Sequence, residues 1–258
     1  MTSEVKALPL LYTDLAEWFH LLARPEGYSE EAAFYARTVR EAVPGARTIL
    51  ELGSGGGNTA SHLKRDFEMV LTDLSPQMLA VSRRLNPELE HIEGDMRSLR
   101  LGRQFDAVFL HDAVMYMTSE DDLRRAIGTA HAHVRPGGAA LIVPDFTRET
   151  FREGTDRGGC DGEDVTPAQP GRALRYLEWI YDPDPEDTRF SVDFAYLLRE
   201  PGLTAVKGFV ERHELGLFPR ETWLRLLREA GFEARALSFD HSKAETVTEM
   251  FLGIRRRG

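Results

Sequence analysis

The sequence predicts an α/β protein built around a doubly wound, mostly parallel sheet of seven strands. Five short apolar runs alternate with segments of helical periodicity between residues 46 and 145, and such alternation produces parallel strands joined by right-handed helical crossovers. Two further apolar runs, 232–239 and 247–256, are separated by the short linker 240–245. A parallel pair would need a helical connection, so these two runs are expected to pair antiparallel. The last strand therefore runs against the others.

The first 45 residues are predicted to form a helical cap. Apolar side chains recur at helical spacing over 15–22 and again over 32–39. Between these runs the chain carries a proline, a glycine and then Ser29, which is expected to cap the second helix with acids in its first turn. Pro44 and Gly45 then end the helical region.

The strands of the main sheet are expected at the apolar runs that follow, and turn residues mark where they begin and end. Ser75 and Pro76 begin the helix after the second strand, and residues 135–138 (RPGG) form a turn before the fifth. A helix over 220–230 ends on Gly231 as a C-cap. The five strands are predicted at 47–52, 67–72, 89–92, 105–110 and 139–144, with helices between them that include 58–65 and 119–134.

A segment of different character lies between the fifth strand and the last helix. Its first part, 146–171, is rich in Gly, Asp, Arg and Pro and is predicted to be a long loop. Three runs with strand character then follow, at 173–181, 188–198 and 205–215, and are predicted to form an antiparallel meander. The predicted organisation is a helical cap over 1–45, a main domain over 46–145 and 218–258, and an inserted β-meander over 146–217.

Charge and composition argue against several kinds of partner. Acids outnumber bases 42 to 32, which gives a net charge of −10, whereas proteins that bind nucleic acid usually present a basic surface. No apolar stretch approaches the roughly 20 residues that cross a bilayer, and the N-terminus lacks a secretory pattern. Cys160 is the single cysteine, so neither an internal disulfide nor a metal-ligand cluster is expected. A cytoplasmic protein with no nucleic acid, membrane or metal partner is predicted.

The strongest local signal is the glycine-rich turn ELGSGGG at residues 51–57. Gly53 and Gly55 allow the backbone to turn tightly and a ligand to approach it closely. Glu51 ends the strand before the turn, Asp73 ends the second strand, and Asp95 follows the third in the motif EGDM. One such carboxylate can accept both ribose hydroxyls, and another can accept an adenine amino group. Because the carboxyl ends of parallel strands line one crevice, the sequence predicts a nucleoside ligand there.

The order and spacing of ELGSGGG, LTDLSPQML, EGDM, FDAVFLHDAVMY and RPGG resemble the class I S-adenosylmethionine-dependent methyltransferases, from about Tyr12 to the end. The resemblance implies a Rossmann-like fold and S-adenosylmethionine as cofactor. In that family the glycine turn contacts the methionine part, the strand-two acid binds ribose and the GDM acid binds adenine. The cofactor-binding residues implied here are Tyr28, Glu51, Gly53, Ser54, Gly55, Asp73, Leu74, Met78, Asp95, Met96 and His111.

Within the family, the chain resembles the small-molecule and TDP-amino-sugar N,N-dimethyltransferases, through GDMRSLRLGRQFDAV and a β-rich insertion after strand five. The resemblance implies that Tyr116 lies near the transferred methyl group. Transfer to the N or O of a small polar metabolite is expected, without a metal and mainly by positioning. An amine acceptor needs only to be neutral and positioned, whereas a hydroxyl acceptor needs a base. Tyr116, His111 and His213 are the candidate catalytic residues.

The inserted meander is expected to act as an acceptor-binding lid together with the helical cap. About half of the side chains of a strand must face away from any one pocket. The alternative role for the meander is a dimerisation surface, so a homodimer is also considered. The side chains that could line the pocket are Trp179, Tyr181, Tyr196, Arg199 and His213.

Two other functions agree with parts of the pattern. An NAD-dependent oxidoreductase would carry a GxGxxG turn, and it leaves both Glu51 and the EGDM motif unexplained. A non-catalytic protein of the same fold would keep the cofactor motifs without the chemistry, and the intact motifs argue against it.

Overall fold

The computed structural model of the chain describes residues 8–161, 171–240 and 247–257. Among the helices of these ranges, none has the length and apolar character needed to span a membrane. The strands are β1 (Thr48–Leu52), β2 (Glu68–Asp73), β3 (Glu90–Glu93), β4 (Phe105–His111), β5 (Val134–Val143), β6 (Gly154–Gly158), β7 (Ala173–Tyr181), β8 (Arg189–Arg199), β9 (Val206–Gly216), β10 (Phe232–Asp240) and β11 (Val247–Arg255). The α-helices are α1 (Phe19–Leu22), α2 (Ser29–Ala42), α3 (Asn58–Leu63), α4 (Pro76–Leu85), α5 (Glu120–His133) and α6 (Arg220–Glu229).

Seven strands form the mostly parallel sheet that the sequence predicts, in the order β10-β11-β5-β4-β1-β2-β3. β11 runs antiparallel to both of its neighbours, β5 and β10, which confirms the predicted antiparallel last strand. Most of the linker used for that prediction, residues 241–245, lies outside the described residues. The strand order reverses between β1 and β4, and open α/β sheets bind ligands at such a switch point.

Apolar side chains cover both faces of this sheet. On one face α5 and α6 contribute fully buried side chains such as Ile127 and Trp223. On the other face α2 and α3 contribute Tyr35 and Leu63. Close packing on both sides fixes the carboxyl ends of the strands, where the predicted site residues lie.

The inserted segment forms a second, antiparallel sheet in the order β6-β7-β8-β9. Strands β7, β8 and β9 confirm the predicted meander. The prediction of a continuous loop over 146–171 is wrong at Gly154–Gly158, which pairs with β7 as an edge strand. Its sequence, GTDRG, has no apolar alternation because its side chains are largely exposed and the backbone alone makes the pairing. Residues 162–170 of that segment lie outside the described residues.

The N-terminal cap is helical, as predicted, but its first half is broken into short pieces. Three 3-10 turns at 10–12, 16–18 and 25–28 flank the one-turn helix α1. Ser29 is the first residue of α2 rather than its N-cap, because the turn at 25–28 runs directly into the helix and makes Tyr28 the capping position.

The predicted turn at residues 135–138 is instead an irregularity inside β5. Val134 already pairs with Phe105, and after a shift of register Ala139 pairs with Ala107. The extra residues are accommodated by a positive φ of 77° at Gly137. This bulge leaves the remainder of β5 in register with β4 up to the end of both strands.

Candidate active site

The glycine-rich turn after β1 lies at the switch point of the main sheet. Gly53 and Gly55 have φ values of 79° and 52°, which favour glycine. A Cβ at Gly53 would lie 2.4 Å from the Cβ of Ala113 and 2.8 Å from the Cε of Met96. Of the residues that the structure describes, a Cβ at Gly55 would meet only Met78 within 4 Å, at 3.7 Å. Gly53 is therefore needed for packing, whereas Gly55 presents bare backbone to open space that a ligand can enter.

Asp73 ends β2 directly beside this turn. Its Oδ2 accepts the N–H of Gly55 at 2.8 Å, and its Oδ1 accepts the N–H of Ser75 at 2.8 Å. Burial raises the pKa of Asp73 in spite of these two bonds. Each carboxylate oxygen can accept more than one hydrogen bond, so Asp73 retains acceptor capacity for a pair of ribose hydroxyls.

Two buried polar atoms of the turn lack a hydrogen-bond partner within the described ranges, Oε2 of Glu51 and Oγ of Ser54. Glu51 is 3% exposed, and burial raises its pKa to about 8. An unsatisfied buried polar group costs about 1–3 kcal/mol, so a ligand that supplies the missing partners would bind favourably. An ammonium group is a suitable donor to Glu51. Together with the open space beside Gly55, this acceptor fits S-adenosylmethionine, a nucleoside that carries an amino acid chain.

Asp95 and Met96 follow β3, and an arginine that the sequence analysis did not identify holds Asp95. Arg97 donates from Nε and Nη2 to both oxygens of Asp95, over 2.6–3.0 Å. Burial raises the pKa of Asp95, but these hydrogen bonds outweigh burial and bring the pKa below its ordinary value. Met96 reaches back to the glycine turn, where its Cε is close to Gly53. The EGDM motif thus lies against the turn, with Asp95 ionised.

The two apolar residues that follow Asp73 differ in exposure. Leu74 is 43% exposed, next to the half-buried Asp73. Met78 is buried on α4 and packs with Ala16 and Val81, while its Cε also lies near Gly55. Leu74 is therefore free to cover a planar ring, and Met78 serves both the protein core and the wall of the site.

His111 ends β4 among other polar side chains. Its Nε2 lies 2.9 Å from Oδ1 of Asp112 and 3.4 Å from the hydroxyl of Tyr35. Burial lowers the pKa of His111, but the Asp112 carboxylate outweighs burial and raises it to about 9. The ring of Tyr28 lies edge-on to His111 at 6.3 Å. A histidine that carries a proton at neutral pH suits contact with an anionic group better than the role of a base.

The structure also reveals a carboxyl pair that the sequence analysis missed. Asp112 has a φ of 34°, the single positive value among the non-glycine residues described, and its side chain is 47% exposed. Desolvation by the surrounding protein and the Asp112 charge raise the pKa of Asp145, whereas contact with His111 lowers the pKa of Asp112. Both are accessible at the ends of β4 and β5. Strained backbone of this kind concentrates at functional sites.

Tyr116 and His213 belong to a chain of polar groups that also includes Tyr12 and Glu211. The Tyr116 hydroxyl lies 3.1 Å from that of Tyr12 and 2.7 Å from Nδ1 of His213. Nε2 of His213 lies 3.1 Å from Oε1 of Glu211. The chain runs from the half-buried Tyr12 to a buried histidine–glutamate pair. His111 lies outside it, so the three candidate catalytic residues are divided between two clusters.

The second sheet turns one face towards this chain and the other towards solvent. Tyr196 and His213 are buried on the inner face. Trp179 lies on the outer face, 56% exposed, with Tyr181 and Arg199 on the same side. Because side chains alternate along a strand, these three cannot line a pocket on the inner face, and the expectation that about half would face away is confirmed.

Comparisons with known proteins agree with this arrangement. Residues 49–138 match the model of a methyltransferase domain family. The chain is 30% identical to dTDP-3-amino-3,6-dideoxy-alpha-D-glucopyranose N,N-dimethyltransferase of Streptomyces fradiae, over 84% of this chain and 83% of the relative. It is 29% identical to dTDP-3-amino-3,4,6-trideoxy-alpha-D-glucopyranose N,N-dimethyltransferase of Streptomyces venezuelae, over 89% and 91%. The solved structure of Streptomyces venezuelae DesVI has a TM-score of 0.79 at 25% identity, covering 94% of this chain and 98% of that one.

The fold, the glycine turn and its acids define a Rossmann-like enzyme that uses S-adenosylmethionine to methylate a small polar molecule. The NAD-dependent alternative is set aside because neither the family model nor the relatives agree with it. The chain belongs to the class I S-adenosylmethionine-dependent methyltransferases and, within them, to the group that includes the TDP-amino-sugar N,N-dimethyltransferases.

Proposed function

We propose that this methyltransferase acts on the amine of an amino sugar carried by a nucleoside diphosphate. The observation that carries the proposal is the match, over most of both chains, to N,N-dimethyltransferases of dTDP-linked amino sugars. The site supports transfer to nitrogen. Burial raises the pKa values of the Tyr12 and Tyr116 hydroxyls beside the cofactor turn, so they remain neutral and can position an amine without becoming phenolate bases.

We infer that S-adenosylmethionine lies along the glycine turn, from the end of β4 to the end of β3. Bound there, it supplies an electrophilic methyl group on a sulfonium, so the protein has chiefly to orient the acceptor. Glu51 and the protonated His111 suit the ammonium and carboxylate of its methionine part. The proposed contacts are Gly53, Ser54, Gly55, Tyr28 and His111 for the methionine part, Asp73 for ribose, and Leu74, Met78, Asp95 and Met96 for adenine.

The three candidate catalytic residues are assigned different roles. Tyr116 is proposed to position the acceptor, and His213 lies behind it, whereas the charge on His111 places this residue with the cofactor. Among the residues that the structure describes, no group of His, Cys, Asp and Glu is arranged to hold a metal ion. Metal-free transfer stays a prediction.

The test is methyl transfer to dTDP-3-amino-3,6-dideoxy-α-D-glucopyranose, followed by mass spectrometry. We expect products that carry one and two added methyl groups. The control acceptor is dTDP-glucose, which presents a hydroxyl at the same ring position. Methylation of the control but not of the amine would contradict transfer to nitrogen, and absence of methylation of both would contradict the proposed acceptor class.

We propose a homodimer formed through the outer face of the second sheet. Leu177, Leu197 and Val210 are 41%, 54% and 76% exposed there, next to Trp179. An exposed apolar surface of this kind often marks a protein contact, and the partner proposed is a second copy of the chain. A cytoplasmic location and the absence of a nucleic acid partner stay predictions, which rest on the single cysteine and the net charge of −10.

A further inference from the structure

We propose that two copies of the chain pack the outer faces of their second sheets together with the strands antiparallel. In this arrangement the acidic end of each face lies over the basic end of the other copy. The outer face is the face of the second sheet that carries Leu177, Leu197 and Val210. The proposal rests on the homodimer proposed above and adds its symmetry axis, and it does not depend on the identity of the methyl acceptor.

The exposed apolar side chains lie near the middle of the outer face. The register pairs Leu177 with Ala195, and Ala195 with Val210, so these three residues form one row across the sheet. Trp179 and Leu197 project from the same face, one on either side of this row, because side chains two positions apart along a strand share a face. A second copy covers such a central row whether the strands of the two sheets run parallel or antiparallel. The apolar row therefore supports a partner without determining its orientation.

One end of the outer face is acidic. The turn between β7 and β8 has the sequence DPDPED, and its Asp184 and Glu186 are exposed. Two bases, Arg148 and Arg189, bond to Asp187 at the end of this turn. Within the described ranges, Asp184 and Glu186 form no ion pair, so the tip of the turn keeps negative charge.

The opposite end of the outer face is basic. Arg175 and Arg199 project from it beside Leu197, and both are exposed. Arg175 forms an ion pair with Asp161 at 3.2 Å, whereas Arg199 forms none with the residues that the structure describes. Lys207 adds a further exposed base on the neighbouring strand.

The two charged ends are too far apart to neutralise each other within one copy. β8 runs from one end to the other over 11 residues, and at about 3.3 Å per residue the ends lie roughly 30 Å apart. Exposed charges are screened over about 8 Å at physiological ionic strength. Each copy therefore presents an acidic end and a basic end that act independently.

Two axes of two-fold symmetry can bring the same face of both copies together. An axis along the strands would place acidic end over acidic end and basic end over basic end. An axis across the strands places each acidic turn over the basic end of the other copy, with the apolar row of each copy over its equivalent. Opposite charges across an interface favour association and like charges oppose it. The charges thus select the axis across the strands.

Charge reversal tests this orientation, with the dissociation constant of the dimer measured by analytical ultracentrifugation. Asp184→Lys with Glu186→Lys makes both ends basic, and Arg175→Glu with Arg199→Glu makes both ends acidic. Each of these two variants should dimerise about tenfold or more weakly than wild type, because like charges then meet at both ends. All four substitutions in one chain exchange the two ends, and this variant should dimerise within about threefold of wild type.

The matched control is Glu41→Lys with Glu68→Lys, which changes the net charge as the reversal of the acidic end does, at exposed positions of the main domain. It should dimerise at least as tightly as wild type, because the chain carries a net charge of −10 and two copies repel each other overall. A weaker dimer after reversal of the acidic end therefore cannot come from net charge.

The outcomes separate the homodimer from its orientation. Wild type that sediments as a monomer at every concentration would contradict the homodimer and the orientation together. If wild type dimerises, an unchanged dimer after reversal of the acidic end would place like ends together and overturn the orientation alone. A four-substitution variant as weak as either two-substitution variant would overturn it too, because the two ends would then not face each other.

Cross-linking tests the same orientation through distance. Glu186→Cys and Arg199→Cys, each in a Cys160→Ser background, are treated with a short bis-maleimide. Because the two ends lie roughly 30 Å apart, a mixture of the two variants after subunit exchange should give cross-linked dimers, and neither variant alone should. Cross-linking of Glu186→Cys to itself, or a mixture of wild-type-like dimers that gives no cross-link, would overturn the proposal.

Discussion

The N–H of Gly55 donates to Oδ2 of Asp73 at 2.8 Å, which joins the turn after β1 to the carboxylate that ends β2. The other carboxylate oxygen accepts the N–H of Ser75 at the start of α4. One side chain therefore holds two backbone segments at the switch point of the sheet. It also retains lone pairs for a ligand, so the conformation of the turn and the binding of the cofactor depend on the same acid.

Replacing Asp73 by Ala should weaken S-adenosylmethionine binding by about 1–3 kcal/mol, because a charge-assisted acceptor is lost. Isothermal titration calorimetry measures the change. Glu68→Ala, an exposed position at the opposite end of the same strand, is the control and should bind as wild type does. Unchanged affinity in Asp73→Ala would remove this residue from the ribose site.

Replacing Gly55 by Ala should lower the affinity for S-adenosylmethionine at least about tenfold, since the new methyl group enters the space left for the ligand. The backbone cost of a left-handed alanine is roughly 1–2 kcal/mol. Gly102→Ala has the same backbone cost but lies away from the ligand, because Gly102 has a φ of 68° and its Cβ position has no neighbour within 4 Å among the described residues. Equal affinities of the two variants in calorimetry would contradict the cradle role of Gly55.

Glu51 should make the cofactor-free protein less stable as pH rises. Burial raises its folded-state pKa to about 8 from an ordinary value of 4.5. Between these pH values the folded protein keeps a proton that the unfolded chain releases. The contribution of Glu51 to the free energy of unfolding is therefore complete below pH 4.5 and is lost as the pH rises through about 8. Glu51→Gln abolishes that contribution, and its advantage over wild type should grow with pH by on the order of a few kcal/mol.

Urea unfolding at acidic and mildly alkaline pH measures this difference. At each pH, the free energy of unfolding of the variant is subtracted from that of wild type. The change in this difference between the two pH values reports on Glu51, because other groups titrate identically in both proteins. Glu41→Gln, an exposed substitution on α2, controls for the loss of one surface charge. Parallel pH curves for wild type and Glu51→Gln would show that the Glu51 carboxyl is not desolvated.

The parts of the fold and site that local patterns control could be predicted from the sequence. The linker between β10 and β11 is too short for a crossover, which determined their antiparallel pairing. The acids Glu51, Asp73 and Asp95 were found because each follows an apolar run and such runs end at one edge of a parallel sheet.

Contacts between distant segments could not be predicted, because no local pattern encodes them. Glu211 bonds to the backbone of Leu10 and Leu11, some 200 residues away in the chain. Asp145 is recognisable only through its neighbour Asp112, which follows a different strand. The edge strand at Gly154–Gly158 was missed for a different reason, since its pairing depends on backbone groups that every residue carries.

The two faces of the second sheet should respond differently to mutation. On the inner face, Glu178→Gln alters a side chain whose pKa burial raises to about 7, near the chain of tyrosines. It should raise the KM for the acceptor, and S-adenosylmethionine affinity should stay within about threefold, or ~0.7 kcal/mol.

On the outer face, Leu197→Ser and Val210→Ser remove exposed apolar area and should weaken self-association, with acceptor kinetics unchanged. Steady-state kinetics and analytical ultracentrifugation of the same variants separate the two effects, because a loss of oligomer in Glu178→Gln with unaltered KM would place the acceptor elsewhere.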